Sequence, residues 1–166
     1  MERWQELDSG APADALATLS ACCGSSRWTG GMLARRPFGS REALLKSARD
    51  EWWALAPDDW LEAFSHHPMI GDRASLPARF PATHRRSARE QAGVGEAADD
   101  VLTALAAANH DYAARFGFIF IVCATGKTAN EMLELLRERL PNDRDTELRI
   151  AAEEQSRITE LRLDAP

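Results

Sequence analysis

Two adjacent histidines, His66 and His67, are the residues of this chain best suited to acid–base chemistry. They stand directly before Pro68, which has no amide hydrogen and whose ring crowds the residue before it. His67 is therefore expected at the C-terminus of a helix, where unpaired carbonyls favour a protonated imidazole. Gly71 allows the backbone to turn sharply just beyond it. The pattern predicts a proton donor, although a histidine in this position can also serve simply as a helix cap.

Polar side chains recur at helical spacing in two later stretches. Ser87, Glu90 and Gln91 fall near one side of a helical turn, and spacing alone assigns them more readily to a solvated face. Arg162 shares a stripe with Gln155 and several apolar residues of the last predicted helix. A guanidinium that points into the protein needs a carboxylate or a bound anion. One at a helix C-terminus can instead interact favourably with the negative end of the helix dipole. Both interpretations of the arginine stay open.

The elements that must position these residues are predicted to be helices. Capping residues, prolines and apolar residues at three- and four-residue spacing mark their limits. Residues 28–38 contain paired glycines and an Arg-Pro step, so they are expected to form a connector that carries buried aromatic residues. Helices are predicted over residues 12–23, 40–54, 57–67, 101–117 and 128–140, and from residue 145 or 146 onwards.

Two stretches interrupt this helical pattern. Residues 118–124 are a continuous run of β-branched, aromatic and other apolar residues, which propensity assigns to a buried strand. No partner strand is evident, so the backbone polar groups of this segment need another partner, and a small polar ligand could supply it. Residues 72–84 combine prolines and charges without a period, and they predict a long surface loop able to close over a site.

Composition limits the class of protein. With 166 residues, 45% of them hydrophobic, the chain is expected to form a single domain over residues 1–166. A formal charge of -6 with interspersed signs disfavours nucleic acid and anionic membranes as partners. Cys22, Cys23 and Cys123 lack the spacing of a zinc site, so no metal is expected, and an odd number of cysteines without an apolar leader favours a reducing cytoplasm.

Several motifs, taken in order, resemble one family. They are Arg36-Pro37-Phe38, the His-Pro-Met-Ile-Gly-Asp run at 67–72, Ser87-x-x-Glu90-Gln91-Ala92-Gly93, the stretch from Phe116 through Lys127, and Glu154-Gln155 leading to Arg162-Leu163. Together they resemble the 2-oxo-4-hydroxy-4-carboxy-5-ureidoimidazoline (OHCU) decarboxylases. The resemblance implies an all-α, single-domain helical bundle with one short extended apolar segment lining the pocket. It also implies a cofactor-free homodimeric carboxy-lyase that converts OHCU to (S)-allantoin and carbon dioxide in urate degradation.

The resemblance also implies roles for individual residues. His67 would be the catalytic proton donor and Glu90 its acidic partner, with Pro68 beside the substrate. Arg162 would bind an anionic or carbonyl oxygen. The remaining substrate-binding positions would be Ser87 and Gln91 at the ureido and ring amides, their neighbours Ala88 and Arg89, and the backbone of Phe120, Ile121, Val122, Cys123 and Ala124 along the hydantoin edge.

The chemistry of this substrate fits a site without a cofactor. Loss of carbon dioxide leaves an electron pair on carbon, and the adjoining ring imine can accept it. The protein then has to orient the carboxylate and deliver one proton to one face. Two alternatives stay open: a helical homodimeric binding protein that retains these residues, and a decarboxylase or hydrolase of another ureido acid.

Overall fold

A computed structural model describes residues 1–68 and 88–165, including the side chains of residues 1–68 and 99–165. Within these limits the chain forms eight helices and no strand, which confirms the predicted all-α class. None of the helices in the described ranges is long and apolar enough to span a membrane. The helices are α1 Arg3–Ser9, α2 Pro12–Cys22, α3 Ser26–Ala34, α4 Arg41–Trp53, α5 Pro57–Ser65, α6 Ala88–Phe116, α7 Ala129–Arg139 and α8 Arg144–Asp164.

The chain divides into two compact units, and the first comprises Met1–His67 and Leu148–Pro166. Its core is built around two indole rings, because Trp28 and Trp52 are almost completely buried. Trp28 donates from Nε1 to the Ala48 carbonyl at 3.0 Å, and Trp52 donates to the Ala152 carbonyl at 2.9 Å. These bonds satisfy both buried indole N–H groups and connect α3 to α4 and α4 to α8.

Helix α3 corrects the prediction of a connector over residues 28–38. Its N-terminus is capped by Ser25, whose hydroxyl accepts a hydrogen bond from the Trp28 amide at 3.3 Å. Glycine weakens a helix, but Gly31 lies so close to the Glu51 carboxylate of α4 that a Cβ there would overlap it. The paired glycines thus do not rule out the helix, which is joined to α4 by the bond from Trp28 to the Ala48 carbonyl.

The second unit, Pro68–Glu147, has an aromatic core in its described part. Tyr112 and Phe116 of α6 lie with ring centroids 4.6 Å apart, and the Tyr112 ring is 5.3 Å from that of Phe120. Gly117 ends α6 with a positive φ of 78°, a backbone conformation that glycine adopts without strain. Residues 118–124 then run through this core as a segment that is neither helix nor strand, so the strand that propensity favours does not form.

The predicted helix limits agree closely with those observed for α2, α4, α5, α7 and α8. The helix predicted over residues 101–117 is the C-terminal part of a longer one, α6, which begins at Ala88. The short α1 was not predicted. The surface loop predicted over residues 72–84 lies outside the described residues, and whether the whole chain forms one domain stays a prediction.

Candidate active site

His67 lies immediately after a helix, as the signal from Pro68 predicts. Helix α5 ends at Ser65 with His66 as its C-cap, and the His67 amide donates to the Phe64 carbonyl at 3.1 Å. The His67 side chain is half-buried, whereas Pro68 is exposed. The imidazole therefore stands at the negative end of the α5 dipole, at the border between protein interior and solvent.

The imidazole of His67 contacts a buried amide of α8. Its Nε2 lies 2.5 Å from Oε1 of Gln155, a side chain that is completely buried. Gln155 in turn donates from Nε2 to Oγ1 of Thr159 at 3.1 Å. The sequence signal for this contact was weak: Gln155 is a polar residue on an otherwise apolar stripe, and the helix period cannot say which residue of another helix it meets.

Behind Thr159 lies a buried thiol. The Ser25 backbone N–H, the Thr159 hydroxyl and the Arg162 guanidinium are close enough to the Cys23 sulfur to favour its ionised form and lower its pKa. Burial nevertheless dominates and raises the pKa of Cys23 to about 11. The pKa of the neighbouring Cys22 is also raised by burial. Neither thiol has the lowered pKa of a nucleophilic cysteine.

Arg162 lies in the last turn of α8 and donates from Nη1 to the Cys22 carbonyl at 3.1 Å. Because Cys22 is the final residue of α2, the guanidinium satisfies a carbonyl at the negative end of a second helix. Gln155 and Arg162 are seven residues apart, so they share one face of α8, separated by about 10 Å along its axis. A substrate-binding role of Arg162 stays a prediction.

The loop between α2 and α3 is held against the end of α5. A Cβ at Gly24 would lie 2.5 Å from Cγ of His66 and almost as close to its Cβ, so the two residues pack in direct contact. The amide and hydroxyl of Ser26 also reach Oε2 of Glu62 on α5, at 3.2 and 3.1 Å. These contacts place the Cys23 thiol and the His67 imidazole in one locally fixed assembly of the first unit.

In the second unit, cationic side chains hold the 118–124 segment. Arg139 donates from Nη1 to the Ile121 carbonyl at 2.8 Å, and its guanidinium lies 4.5 Å from the centroid of the Phe120 ring. Lys127 donates from Nζ to the Cys123 carbonyl at 2.9 Å. Two carbonyls that ordinary strand pairing would satisfy therefore bind side chains instead.

Arg139 is itself fixed by a buried carboxylate. Oε1 of Glu147, which is completely inaccessible to solvent, accepts from Nε of Arg139 and from the Tyr112 hydroxyl, both at 2.6 Å. Its other oxygen accepts from Asn142 at 3.0 Å. Burial, together with this carboxylate, raises the pKa of Tyr112 strongly. The sequence did not reveal this network, because its members are separated along the chain.

The remaining predicted site residues fall largely outside the described part of the chain. Ser87 is not described. Ala88, Arg89, Glu90 and Gln91 lie in the first turns of α6, as their spacing predicts, but their side chains are outside the described set. Their predicted roles stay predictions. Phe120, Ile121, Val122 and Cys123 are buried and Ala124 is exposed.

Across the described ranges, no group of three or more histidine, cysteine, aspartate or glutamate side chains is arranged to hold a metal ion. The polar groups that the first unit collects are instead a half-buried imidazole, a primary amide, a hydroxyl and a guanidinium. An imidazole can transfer a proton and a guanidinium can bind an anion, so this assembly is suited to general acid–base chemistry on an anionic substrate.

Comparison with known proteins identifies the family. The sequence profile of the OHCU decarboxylases matches residues 9–164. Among curated relatives, the uric acid degradation bifunctional protein TTL of Arabidopsis thaliana is 46% identical over 143 residues, covering 86% of this chain and 44% of the relative. The uric acid degradation bifunctional protein PucL of Bacillus subtilis is 29% identical over 166 residues, covering 98% and 32%. The chain thus spans less than half the length of these relatives.

Solved structures agree with the sequence matches. A crystal structure of OHCU decarboxylase in the presence of (S)-allantoin superposes with a TM-score of 0.73 at 40% identity, covering 93% of this chain and 96% of that one. An (S)-allantoin synthase structure, 19% identical, shares the fold with a TM-score of 0.68. A profile match over nearly the entire sequence, joined to a structural match that spans both chains, shows that this chain belongs to the OHCU decarboxylase family.

Proposed function

We propose that the chain catalyses the cofactor-independent decarboxylation of OHCU to (S)-allantoin and carbon dioxide, a step of urate degradation. Family membership supports this reaction, as does the likeness to an OHCU decarboxylase solved in the presence of (S)-allantoin. The observation that carries the proposal is the half-buried His67 imidazole, fixed at the end of α5 by a hydrogen bond to Gln155.

The reaction requires little more than orientation and one proton. The bond between the ring carbon and the carboxylate breaks, and its electron pair moves to the adjoining ring imine, whose nitrogen takes up the charge. Loss of carbon dioxide leaves an enol, in which the former carboxylate-bearing carbon is double-bonded to the former imine carbon. The hydroxyl on the first of these carbons gives up its proton and becomes the ring carbonyl, and the ring nitrogen takes up one proton in exchange. A proton added to the former imine carbon, which bears the ureido group, completes allantoin. His67 donates this proton from one side, which determines the configuration of the product.

Binding of the substrate is assigned to residues of both units, each by the motif that carries it. Arg162, on the same face of α8 as the residue that holds His67, binds an anionic or carbonyl oxygen. Glu90 acts as the acidic partner of His67. Ser87, Gln91 and the backbone of residues 120–124 bind the ureido group and the ring amides.

The enzyme is further proposed to act as a cytoplasmic homodimer. Family membership supports the dimer. The buried free thiols of Cys22 and Cys23 are compatible with a reducing compartment.

The proposal is tested with freshly generated OHCU, by measuring carbon dioxide release and the handedness of the allantoin formed. The wild-type protein should accelerate release and give a single enantiomer, whereas uncatalysed protonation on both faces gives a racemate. His67→Asn should keep its circular dichroism spectrum but lose about 10²- to 10⁴-fold in kcat, the usual contribution of a general acid. Near-normal turnover by His67→Asn would refute the assignment of the donor, and a wild-type protein that releases no carbon dioxide would refute the reaction.

A further inference from the structure

The hydrogen-bond chain behind His67 has a direction. Thr159, the partner of Gln155, lies next to the Cys23 thiol. The Thr159 hydroxyl oxygen accepts a hydrogen bond from Nε2 of Gln155 at 3.1 Å. The amide of Gln155 is therefore oriented with its nitrogen towards Thr159 and its oxygen towards His67.

This orientation determines which imidazole nitrogen carries a hydrogen. The carboxamide oxygen of Gln155 can only accept, so the Nε2 atom of His67, 2.5 Å away, must donate. Both side chains are buried, with Gln155 0% exposed and Thr159 4% exposed, so water cannot replace a hydrogen-bond partner that is lost.

We propose that Gln155 is the positioning residue of the proton donor: it holds the His67 ring in place and keeps the hydrogen on Nε2, and its own amide is held by Thr159. The inference rests on the proposed function in taking His67 as the donor. Because Gln155 accepts from Nε2 whether the ring is neutral or charged, the proton exchanged with the substrate is the one on Nδ1. Gln155 resembles the carboxylate or carbonyl groups that fix imidazole tautomers in other sites.

Nuclear magnetic resonance of the free enzyme tests the contact without any activity. The chain has four histidines, and the resonances of His67 are identified by their loss in His67→Asn. In the wild type with neutral imidazole, the ¹⁵N shifts should show hydrogen on Nε2. Gln155→Met, which keeps the volume but removes the acceptor, should lose this preference. A wild-type ring protonated at Nδ1, or a tautomer that Gln155→Met leaves unchanged, would overturn the inference.

Kinetics then separate positioning from packing. Gln155→Met should lower kcat about 10²-fold, the usual cost of a misplaced catalytic group, while KM changes less than about twofold. Gln155→Glu should retain most of kcat, because its carboxylate still accepts from Nε2. Glu153→Gln, at an exposed position of α8, is the control and should match the wild type. If Gln155 only fills the core, Gln155→Glu, which buries a charge, should be the worse variant, and that result contradicts the proposal.

Thr159→Val provides a second route should Gln155→Met fold poorly. It keeps the shape of the side chain but removes the hydroxyl that holds the amide. The preference for hydrogen on Nε2 of His67 and the value of kcat should therefore both fall, but by less than in Gln155→Met. An unchanged tautomer and kcat in this variant would show that Thr159 does not orient Gln155. If the wild type proves inactive on OHCU, the proposed function fails, while the NMR result still decides whether Gln155 fixes His67.

Discussion

The Arg162 guanidinium uses one of its five N–H donors on the Cys22 carbonyl. The other donors can reach an anion while this bond holds the side chain in place. Arg162→Lys replaces a planar fork with a point charge, so we expect KM for OHCU to rise about tenfold or more with kcat little changed. Steady-state kinetics of carbon dioxide release measure both parameters. An unchanged KM would argue against substrate binding by Arg162.

Cys23 gives a second prediction for a single residue, because its pKa is raised by burial to about 11 from an ordinary value near 9. Between pH 9 and 11 the unfolded chain loses this proton while the folded protein keeps it. The stability that the neutral thiol contributes is thus complete below pH 9 and falls as pH rises to 11, by about 3 kcal/mol in total.

Urea unfolding of the wild type and of Cys23→Ala at several alkaline pH values measures this effect. The comparison matters because Tyr112 and Cys22 also have raised pKa values and add their own alkaline losses to both proteins. From pH 9 upwards, the wild type should lose more stability than Cys23→Ala, and the difference is the contribution of Cys23. Parallel stability curves for the two proteins would mean that the Cys23 thiol ionises normally.

Among the structural elements, the 118–124 segment depends most on a single side chain outside it. Arg139 binds the Ile121 carbonyl and is bonded to the buried Glu147. Arg139→Met leaves the Glu147 carboxylate buried without its cation, so we expect a loss of about 3–5 kcal/mol in the free energy of unfolding.

Denaturant unfolding with a double variant measures the origin of this loss. Adding Glu147→Leu to Arg139→Met removes the uncompensated charge, so the double variant should be more stable than Arg139→Met alone. If instead the losses in unfolding free energy of the two single variants add up in the double variant, the ion pair contributes nothing specific. The hydrogen bond from Arg139 to the Ile121 carbonyl then accounts for the loss in Arg139→Met.

The helices were predictable to the extent that their limits depend on local chemistry. Ser40, Pro57 and Thr128 act as the sequence indicates, because caps and prolines act within one turn. Helix α3 was missed because its paired glycines are unfavourable in a helix locally, whereas the bond from Trp28 to Ala48 joins it to another helix and cannot be predicted from local sequence. In the candidate site, too, only local features were predictable. Pro68 predicts that His67 follows the end of a helix, but no local rule predicts its contact with Gln155, 88 residues further along the chain.

For the molecule as a whole, the number of copies that associate is still a proposal. With a formal charge of -6 per chain, two copies repel each other at long range, so a stable dimer must bury substantial apolar surface. Light scattering coupled to size exclusion should give twice the 18.3 kDa of one chain, largely independent of salt. A mass of one chain at micromolar concentration would contradict the homodimer.

The contact between Gly24 and His66 restricts how the sequence can vary. A methyl group at residue 24 has no flexible side-chain tip to displace, since it meets the Cβ and Cγ atoms of the histidine, whereas one at Gly30 meets nothing within 4 Å. Random mutagenesis should therefore accept many residue types at position 30 and almost none at position 24. Substitution at residue 24 would move the end of α5, and with it the His67 imidazole, even though Gly24 itself contributes no reactive group.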